Sequence, residues 1–256
     1  MILTERRNDG VALITLDRPA ARNALSLAML EALHDALRAA EDARCIVLAA
    51  TGPAFSAGHD LRELTAARGD ADGGRDLYGR TMALCSQVMQ QVVNHPAPVI
   101  AAVEGIATAA GCQLVASCDM AVATPASKFC TPGVDIGLFC STPAVAVARA
   151  IPRKAAMEML LTGRMVSAEE ARALGLINRI AEDARAEALA LAAHIAARSA
   201  LTIRLGKLGF NAQFGLPLAE AYDAASAVMV ENMMAADAAE GIGAFLGKRA
   251  PHWQDR

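Results

Sequence analysis

Short apolar runs alternate with segments of helical spacing over about the first 180 residues, and only helical segments follow them. The runs lie at 11–16, 45–50, 98–103, 120–123 and 176–180. Runs as short and apolar as these are typical of strands that are covered on both faces. Because the strands alternate with helices, the pattern predicts an α/β fold with a helical C-terminal module.

Local signals divide the chain further. Ser26 is an N-cap candidate in front of a segment with helical apolar spacing, and a capping box begins at Ser167. Glycines and charged residues crowd residues 66–76, which predicts a mobile loop between two helical segments. We expect a core of residues 1–195 and a helical module of residues 196–256.

Charge and hydropathy exclude two classes of partner. The net charge is −3 and the chain has no long basic run, so we expect no nucleic acid partner. Residues 81–103 form the longest uncharged stretch, but they contain prolines and several amide side chains. A membrane helix does not tolerate such a composition, so we expect no membrane association.

The cysteines bear on the compartment and on metal binding. None of the 6 cysteines forms a C-x-x-C pair or stands near a histidine at metal-ligand spacing. We therefore expect buried, reduced thiols and no metal site. The arginines near the N-terminus are not followed by a long apolar segment, so we expect no signal peptide and a cytoplasmic protein.

Two turns of small residues could hold a developing negative charge. Residues 109–111 (Ala-Ala-Gly) follow one apolar run and lead into a helix, whose first N–H groups are unpaired. Residues 55–60 (Phe-Ser-Ala-Gly-His-Asp) follow another apolar run. Each turn alone is equally consistent with tight packing. Together they could supply the two backbone N–H groups of an oxyanion hole.

These and other motifs resemble the enoyl-CoA hydratase/isomerase (crotonase) superfamily. They occur in family order over nearly the whole chain, from Pro19-x-x-x-Asn23-Ala24-Leu25 through residues 55–61, 98–105, 111–114, 118–119 and 161–176. The resemblance implies a crotonase fold, a spiral of ββα units with a helical C-terminal module. Residues 111–119 and 131–143 resemble one branch, the enoyl-CoA hydratase domain-containing protein 3 group.

The resemblance implies roles for individual residues. The N–H groups of His59 and Ala110 would bind the thioester oxygen, and the main chain at Ser56 and Ala57 would contact coenzyme A. Lys248 would reach a coenzyme A phosphate, although an ordinary surface charge explains it equally well. Coenzyme A would arrive as part of an acyl-CoA substrate, with no permanently bound cofactor. The resemblance also implies homotrimers, or homohexamers made of two trimers, held together by the C-terminal helices.

The chain departs from the hydratase pattern at both acid/base positions. The family has glutamates where this chain has Gln113 and Gly133. An amide cannot accept a proton from water at neutral pH, and glycine supplies no group at all. We expect Gln113→Glu combined with Gly133→Glu to raise hydration. Asp135 lies two residues after Gly133, so an extended segment would point both the same way and offer a replacement carboxylate.

Other side chains near these motifs are candidate substitutes for the missing glutamates. The ring of His59 is one, and the thiols of Cys112, Cys130 and Cys140 lie near the same motifs. A nucleophilic thiol needs a lowered pKa, and the sequence gives no sign of one.

Three functions remain open at this point. The first is an enoyl-CoA hydratase-like lyase of fatty-acid metabolism with atypical or weak activity, or a related isomerase, thioesterase or decarboxylase. The second is a non-catalytic acyl-CoA-binding or regulatory protein, because both glutamates are absent. The third is a purely structural assembly protein, which would leave the paired small-residue turns unexplained.

Overall fold

A computed structural model describes all 256 residues as two sheets wrapped by helices. The strands are β1 (Ile2–Arg6), β2 (Val11–Leu16), β3 (Cys45–Ala50), β4 (Ala54–Ser56), β5 (Val99–Val103), β6 (Ile106–Thr108), β7 (Met120–Ala123), β8 (Lys128–Cys130), β9 (Val166–Ser167) and β10 (Arg179–Ile180). The helices are α1 (Leu27–Arg38), α2 (Leu61–Ala66), α3 (Arg75–Asn94), α4 (Ala110–Ser117), α5 (Ser141–Ala150), α6 (Arg153–Thr162), α7 (Ala168–Leu174), α8 (Ala184–Ala196), α9 (Ala200–Gln213), α10 (Leu218–Met234) and α11 (Ala236–Leu246).

The larger sheet has the order β1-β2-β3-β5-β7-β10 and is parallel except for β1. Every residue of β2, β3 and β5 is buried, as expected for strands covered on both faces. The smaller sheet has the order β4-β6-β8-β9, and its first three strands are parallel. The ends of its strands carry the small-residue turns found in the sequence.

Helix α8 covers one face of the larger sheet with a stripe of alanines. Ala184, Ala188, Ala192 and Ala196 recur every fourth residue, are buried, and pack with strand residues that include Val47. Residues four apart lie on one face of a helix, so the small side chains let the helix approach the sheet closely. The opposite face holds the main core, which is built largely from α1, α3, α4 and the strands.

Most predicted elements are confirmed, and both predicted N-cap serines accept hydrogen bonds; the capping box at Ser167 is half formed, because the Glu170 carboxylate pairs with Arg164. The Ser26 hydroxyl accepts from the N–H of Met29 at 3.2 Å, and Ser167 accepts from the N–H of Glu170 at 3.2 Å. The last predicted strand, 176–180, shortens to β10. The short strands β1, β4, β6, β8 and β9 went unpredicted because two- to five-residue strands show little periodicity.

The predicted loop at 66–76 is shorter than its composition suggested. Helix α2 runs to Ala66, a 3-10 turn follows, and α3 begins at Arg75. The carboxylate of Asp72 starts α3, because it accepts from the N–H of Gly74 at 2.9 Å and from that of Asp76 at 2.7 Å. The aspartate and glycines therefore act as a helix start and not only as a loop.

Helices α9, α10 and α11 form the C-terminal module, and the first two contain no buried residue. Large apolar side chains on this module are exposed; they include Phe210, Phe214, Met234, Phe245 and Leu246. The division of the chain at 195/196 stays a prediction; α8 itself packs on the sheet.

None of the helices is by itself long and apolar enough to cross a membrane. Helices α8 and α9 reach that length and composition only as a pair, and they are bent by 107° relative to each other.

Lys207 attaches the C-terminal module to the core. Its ammonium group donates to Asp119 Oδ2 at 2.7 Å, to the Ala97 carbonyl at 3.0 Å and to the Val92 carbonyl at 3.2 Å. The Lys207 side chain is only 7% exposed, so all three of its N–H donors are used in a poorly solvated place. Asp119 also accepts from the N–H of Val99 at 2.7 Å, which joins the attachment to the larger sheet.

We predict that Lys207→Met destabilises the protein by about 3 kcal/mol, because the substitution leaves the partly buried Asp119 carboxylate and two carbonyls without their donor. Urea unfolding followed by circular dichroism measures this difference. Lys154→Met is the control, since Lys154 is exposed on α6 and makes no ion pair. Equal stability of the two variants would show that the attachment contributes nothing.

Candidate functional site

The two small-residue turns lie against each other at the end of the smaller sheet. Strands β4 and β6 are parallel neighbours, so the chain leaves both at the same edge. A Cβ on Gly58 would lie 2.9 Å from Ala109 Cβ and 3.3 Å from Ala110 N, and a Cβ on Gly111 would lie 2.5 Å from the Ser56 carbonyl oxygen. Only glycine permits this approach of the two backbones.

Two backbone N–H groups remain free at this junction. Neither the N–H of His59 nor that of Ala110 donates to any acceptor in the protein. Ala110 is the first residue of α4, where the helix dipole adds partial positive charge. Free donors beside a helix N-terminus suit an oxygen that gains negative charge.

The turn before α4 has an unusual backbone conformation. Ala109 has φ 49° and ψ −117°, a region that side chains disfavour. Its N–H donates to the Cys130 carbonyl at 2.9 Å, and its carbonyl accepts from the N–H of Gln113 at 2.9 Å, so both ends are fixed. Strain of this kind costs about 1–3 kcal/mol and concentrates at functional sites.

Asn23 holds the β4 end in place, a role the sequence reasoning missed. Its buried side-chain amide donates to the carbonyls of Thr51 and Ala54, both at 2.8 Å. Its backbone carbonyl accepts from the Ser56 hydroxyl at 2.9 Å. Asn23 has φ 52°, a conformation that asparagine tolerates better than most residues. The signal available in the sequence was the asparagine inside the motif Asn23-Ala24-Leu25.

The imidazole of His59 is fixed by a hydrogen bond, and the residue is only partly exposed. Its Nδ1 lies 3.2 Å from the Leu25 carbonyl oxygen. Because a carbonyl oxygen only accepts hydrogen bonds, Nδ1 carries the proton. Its Nε2 is fully buried and has no partner. Burial lowers the pKa of His59, because the imidazolium loses its hydration. The ring is thus neutral, and its free nitrogen is sealed from solvent.

Gln113 lies one helical turn after Ala110, on the same face of α4. The side chain is buried, and its Oε1 accepts weakly from the Cys85 thiol at 4.0 Å. Its amide nitrogen is not among the buried polar atoms that lack a hydrogen-bond partner. Gln113 also lines a cleft of about 1060 Å³ between the core and α9. The structure therefore brings Ser56, His59, Ala110 and Gln113 into one region.

The position of the second missing glutamate is filled by other atoms. Gly133 is buried, and a Cβ there would lie 2.8 Å from the Leu138 carbonyl oxygen and 2.9 Å from Cys140 Sγ. The Gly133 carbonyl accepts from the N–H of Leu138 at 2.9 Å, which fixes the segment 138–140 that occupies this space. A glutamate at this position would therefore require residues 138–140 to shift. The expected gain of hydration in the double glutamate variant stays a prediction.

The orientation predicted for Asp135 is wrong. Residues 132–136 form a 3-10 helix and not an extended segment, so residues two apart point in different directions. Asp135 is exposed, and its carboxylate lies beside Gly163, with 3.1 Å between Oδ2 and the place of a Gly163 Cβ. The extended geometry on which Asp135 was expected to replace a missing glutamate is therefore absent.

The thiols near the site have raised pKa values. Burial raises the pKa of Cys112 to about 12 and that of Cys130 to about 11, and it also raises the pKa of Cys140. A thiolate is the reactive form of cysteine, so these groups are poor nucleophiles at neutral pH. No group of three or more His, Cys, Asp or Glu side chains is arranged to hold a metal ion.

The residues for which the resemblance implies coenzyme A contacts lie at two different places. Ser56 is fully buried in β4 and Ala57 follows it, so their main chain is at the junction. Lys248 follows α11 with φ 51°, on the C-terminal module, and makes no ion pair. Lys248 therefore lies on a different part of the chain from His59 and Ala110.

Comparisons with known proteins agree with this architecture. The chain matches the family model described as enoyl-CoA hydratase/isomerase over residues 6–256. It is 50% identical to the rat protein named enoyl-CoA hydratase domain-containing protein 3, mitochondrial, over 98% of this chain and 84% of the relative. The human structure of enoyl coenzyme A hydratase domain-containing protein 3 superposes with a TM-score of 0.92 at 47% identity, covering 98% of this chain and 99% of the other. A Mycobacterium smegmatis enoyl-CoA hydratase structure gives the same TM-score and identity, covering 98% of each chain.

The comparisons confirm the predicted family, branch and crotonase fold, and they correct one expectation. The cytoplasmic location is wrong by this comparison, because the rat, mouse and human relatives are all named mitochondrial. The expectation rested on reduced thiols and on the absence of an apolar leader. Neither feature distinguishes one reducing compartment from another.

We predict that Gly133→Ala lowers stability by about 1–3 kcal/mol, because the added methyl group overlaps the Leu138 carbonyl and Cys140 Sγ. Thermal unfolding measures the change. Gly79→Ala is the matched control: Gly79 is in α3 with nothing near its Cβ position, and alanine there favours the helix. A Gly133→Ala protein as stable as the parent would show that the segment 138–140 yields easily.

Proposed function

The chain belongs to the enoyl-CoA hydratase/isomerase family, and we propose that it binds an acyl-CoA thioester and polarises its carbonyl with the N–H groups of His59 and Ala110. The observation that carries the proposal is that both N–H groups are free and lie on backbones that touch. Backbone donors need no reorganisation when charge develops, which makes such pairs effective. Coenzyme A arrives with the substrate, and no resident cofactor is invoked.

We propose that hydration by this site is weak. Addition of water to an enoyl thioester needs a base for the water and an acid for Cα, and Gln113 and Gly133 supply neither. Each such group contributes roughly 10²- to 10⁴-fold in rate. The two losses do not simply multiply, because the groups act together. A family-level role in fatty-acid metabolism fits, as an atypical hydratase-like lyase.

The remaining coenzyme A contacts follow from the same placement. The main chain at Ser56 and Ala57 runs beside the two donors and is the proposed path of the pantetheine arm. Lys248 is the proposed partner of a coenzyme A phosphate, because its charge is not neutralised by an ion pair. A non-catalytic acyl-CoA-binding or regulatory protein is the second candidate, favoured by the filled position beside Gly133.

Two measurements with crotonyl-CoA test the proposal. Calorimetric titration measures binding, and the absorbance of the enoyl group measures hydration. We expect binding with little or no hydration. Gly58→Ala should weaken binding up to about tenfold, because its methyl group would cover Ala110 N and cost one hydrogen bond.

Gly137→Ala is the matched control for this experiment. Gly137 also has a positive φ, of 76°, but nothing lies near its Cβ position, so only the backbone strain is reproduced. Equal affinities for the two variants would reject the N–H pair as the binding site. Rapid hydration by the parent protein would reject the proposed loss of acid/base function.

We propose that the chain forms homotrimers, or homohexamers, through its C-terminal module. Helices α9 and α10 have no buried residue and expose phenylalanine and methionine side chains, which a second copy would cover. Sedimentation velocity should give a mass of three or six times 26.6 kDa. A stable monomer at micromolar concentration would contradict the assembly.

A further inference from the structure

A cleft of about 1060 Å³ lies between α9 and the helices α3, α4 and α5. Neither His59 nor Ala110 lines it, so the two free N–H groups belong to a different place. Ligand sites in proteins commonly enclose about 300–1,000 Å³, and this cleft is large enough to hold a small molecule of its own. The carbonyl site leaves this volume without a role.

Small residues on three of these helices keep the cleft open. Ala116 of α4, Ala146 of α5 and Gly206 of α9 line it. No atom lies within 4 Å of the place of a Gly206 Cβ, so the space beside this glycine is empty of protein. The walls at these positions are therefore backbone and small side chains, which leaves room between the helices.

The wall beside α3 is apolar and largely uncovered. Phe210 and Phe214 of α9 are 61% and 62% exposed, and their ring centroids are 5.9 Å apart, so the two rings form one surface. Met89 and Val93 of α3 line the same cleft. The Asn211 amide donates to the Val93 carbonyl at 2.8 Å and holds α9 beside α3. An apolar ligand would gain free energy by covering this wall.

Arg149 is the one charged residue of the cleft without an opposite charge. The other two charged residues on its walls, Lys207 and Asp119, pair with each other at 2.7 Å and add no net charge. The Arg149 guanidinium donates only to the Val145 carbonyl of its own helix, at 2.9 Å. A guanidinium has five N–H donors, so most of them remain for a ligand.

The free charge and the apolar rings lie on different walls. Arg149 is in the last turn of α5, where the Ala150 carbonyl lies 3.6 Å from the place of a Gly175 Cβ, while the rings lie beside α3. A ligand that reaches both walls must be long and must carry its charge at one end. One unpaired cation matches one negative charge, which favours a carboxylate over a phosphate monoester with nearly two charges.

From these walls we propose that the cleft is a second ligand site, separate from the carbonyl site, and that it binds a long-chain carboxylate. The carboxylate pairs with Arg149, and the hydrocarbon chain covers Phe210 and Phe214. Exposed methionines of α10, such as Met229 and Met233, do not line the cleft, so contacts of other copies with α10 leave the site open.

Calorimetric titration of the full-length protein with dodecanoate tests the proposal. We expect one saturable site per chain, with dodecanoate bound at least about tenfold more tightly than octanoate, because each buried methylene adds affinity. Dodecyltrimethylammonium has the same chain with a positive head and should not bind. Equal binding of this cation would overturn the proposal. No dodecanoate binding by a protein that sediments as a trimer would also overturn it, because another copy would then fill the cleft.

Two substitutions locate the ligand in the cleft. Arg149→Met should weaken dodecanoate binding at least about tenfold and leave dodecanol binding unchanged, because only the carboxylate loses its partner. Arg153→Met is the matched control, since Arg153 is exposed on α6, outside the cleft, and should bind dodecanoate like the parent. Parent-like dodecanoate affinity in Arg149→Met would overturn the proposal.

Gly206→Leu tests the volume of the cleft independently of charge. The added side chain enters empty space, so we expect a folded protein by thermal unfolding and at least about tenfold weaker dodecanoate binding. Gly79→Leu is its control, because Gly79 is an exposed helical glycine with nothing near its Cβ position. A folded Gly206→Leu protein that binds dodecanoate like the parent would reject the cleft.

A competition experiment separates this site from the carbonyl site. Saturating dodecanoyl-CoA should leave dodecanoate binding unchanged, because the two ligands occupy different places. Displacement of dodecanoate by dodecanoyl-CoA would overturn the second site and make the cleft an extension of the acyl site. Loss of crotonyl-CoA binding in Gly58→Ala, with dodecanoate binding kept, would support two separate sites.

Discussion

The close contact between the end of β4 and the start of α4 is the constraint on which the site depends. Gly111 lies against the Ser56 carbonyl and Gly58 lies against Ala109, so a single methyl group at either glycine would separate the two backbones. Two N–H groups at this contact, those of His59 and Ala110, have no acceptor in the protein. The strained turn at Ala109 is tolerated because hydrogen bonds fix both sides of it.

The two small-residue turns of the family pattern are present in this chain, while the positions of its two glutamates carry Gln113 and Gly133. The change at Gly133 is not a simple deletion of one side chain, because Leu138 and Cys140 fill the space that a side chain would use. The change at Gln113 is conservative in shape but removes a charge. These two changes have one consequence: neither position carries the carboxylate that the family pattern has there.

Polar contacts attach helix α9 of the C-terminal module to the core. Lys207 uses all three donors on atoms of the core, and Asn211 donates to the Val93 carbonyl at 2.8 Å. The apolar side chains of α9 and α10 remain largely uncovered. Hydrogen bonds are directional, so they fix the position of α9 on the core.

The sequence by itself determined the α/β architecture, the main caps, the two small-residue turns and the absence of both glutamates, because these depend on local periodicity and on residue identity. Tertiary structure decided what those residues can do. Asp135 does not point the same way as position 133 because residues 132–136 coil into a 3-10 helix, the place beside Gly133 is filled by Cys140, and the His59 ring is held by the Leu25 carbonyl. Whether a position faces a cavity, and which way a side chain points, depends on how segments pack. Local periodicity carries no information on that packing.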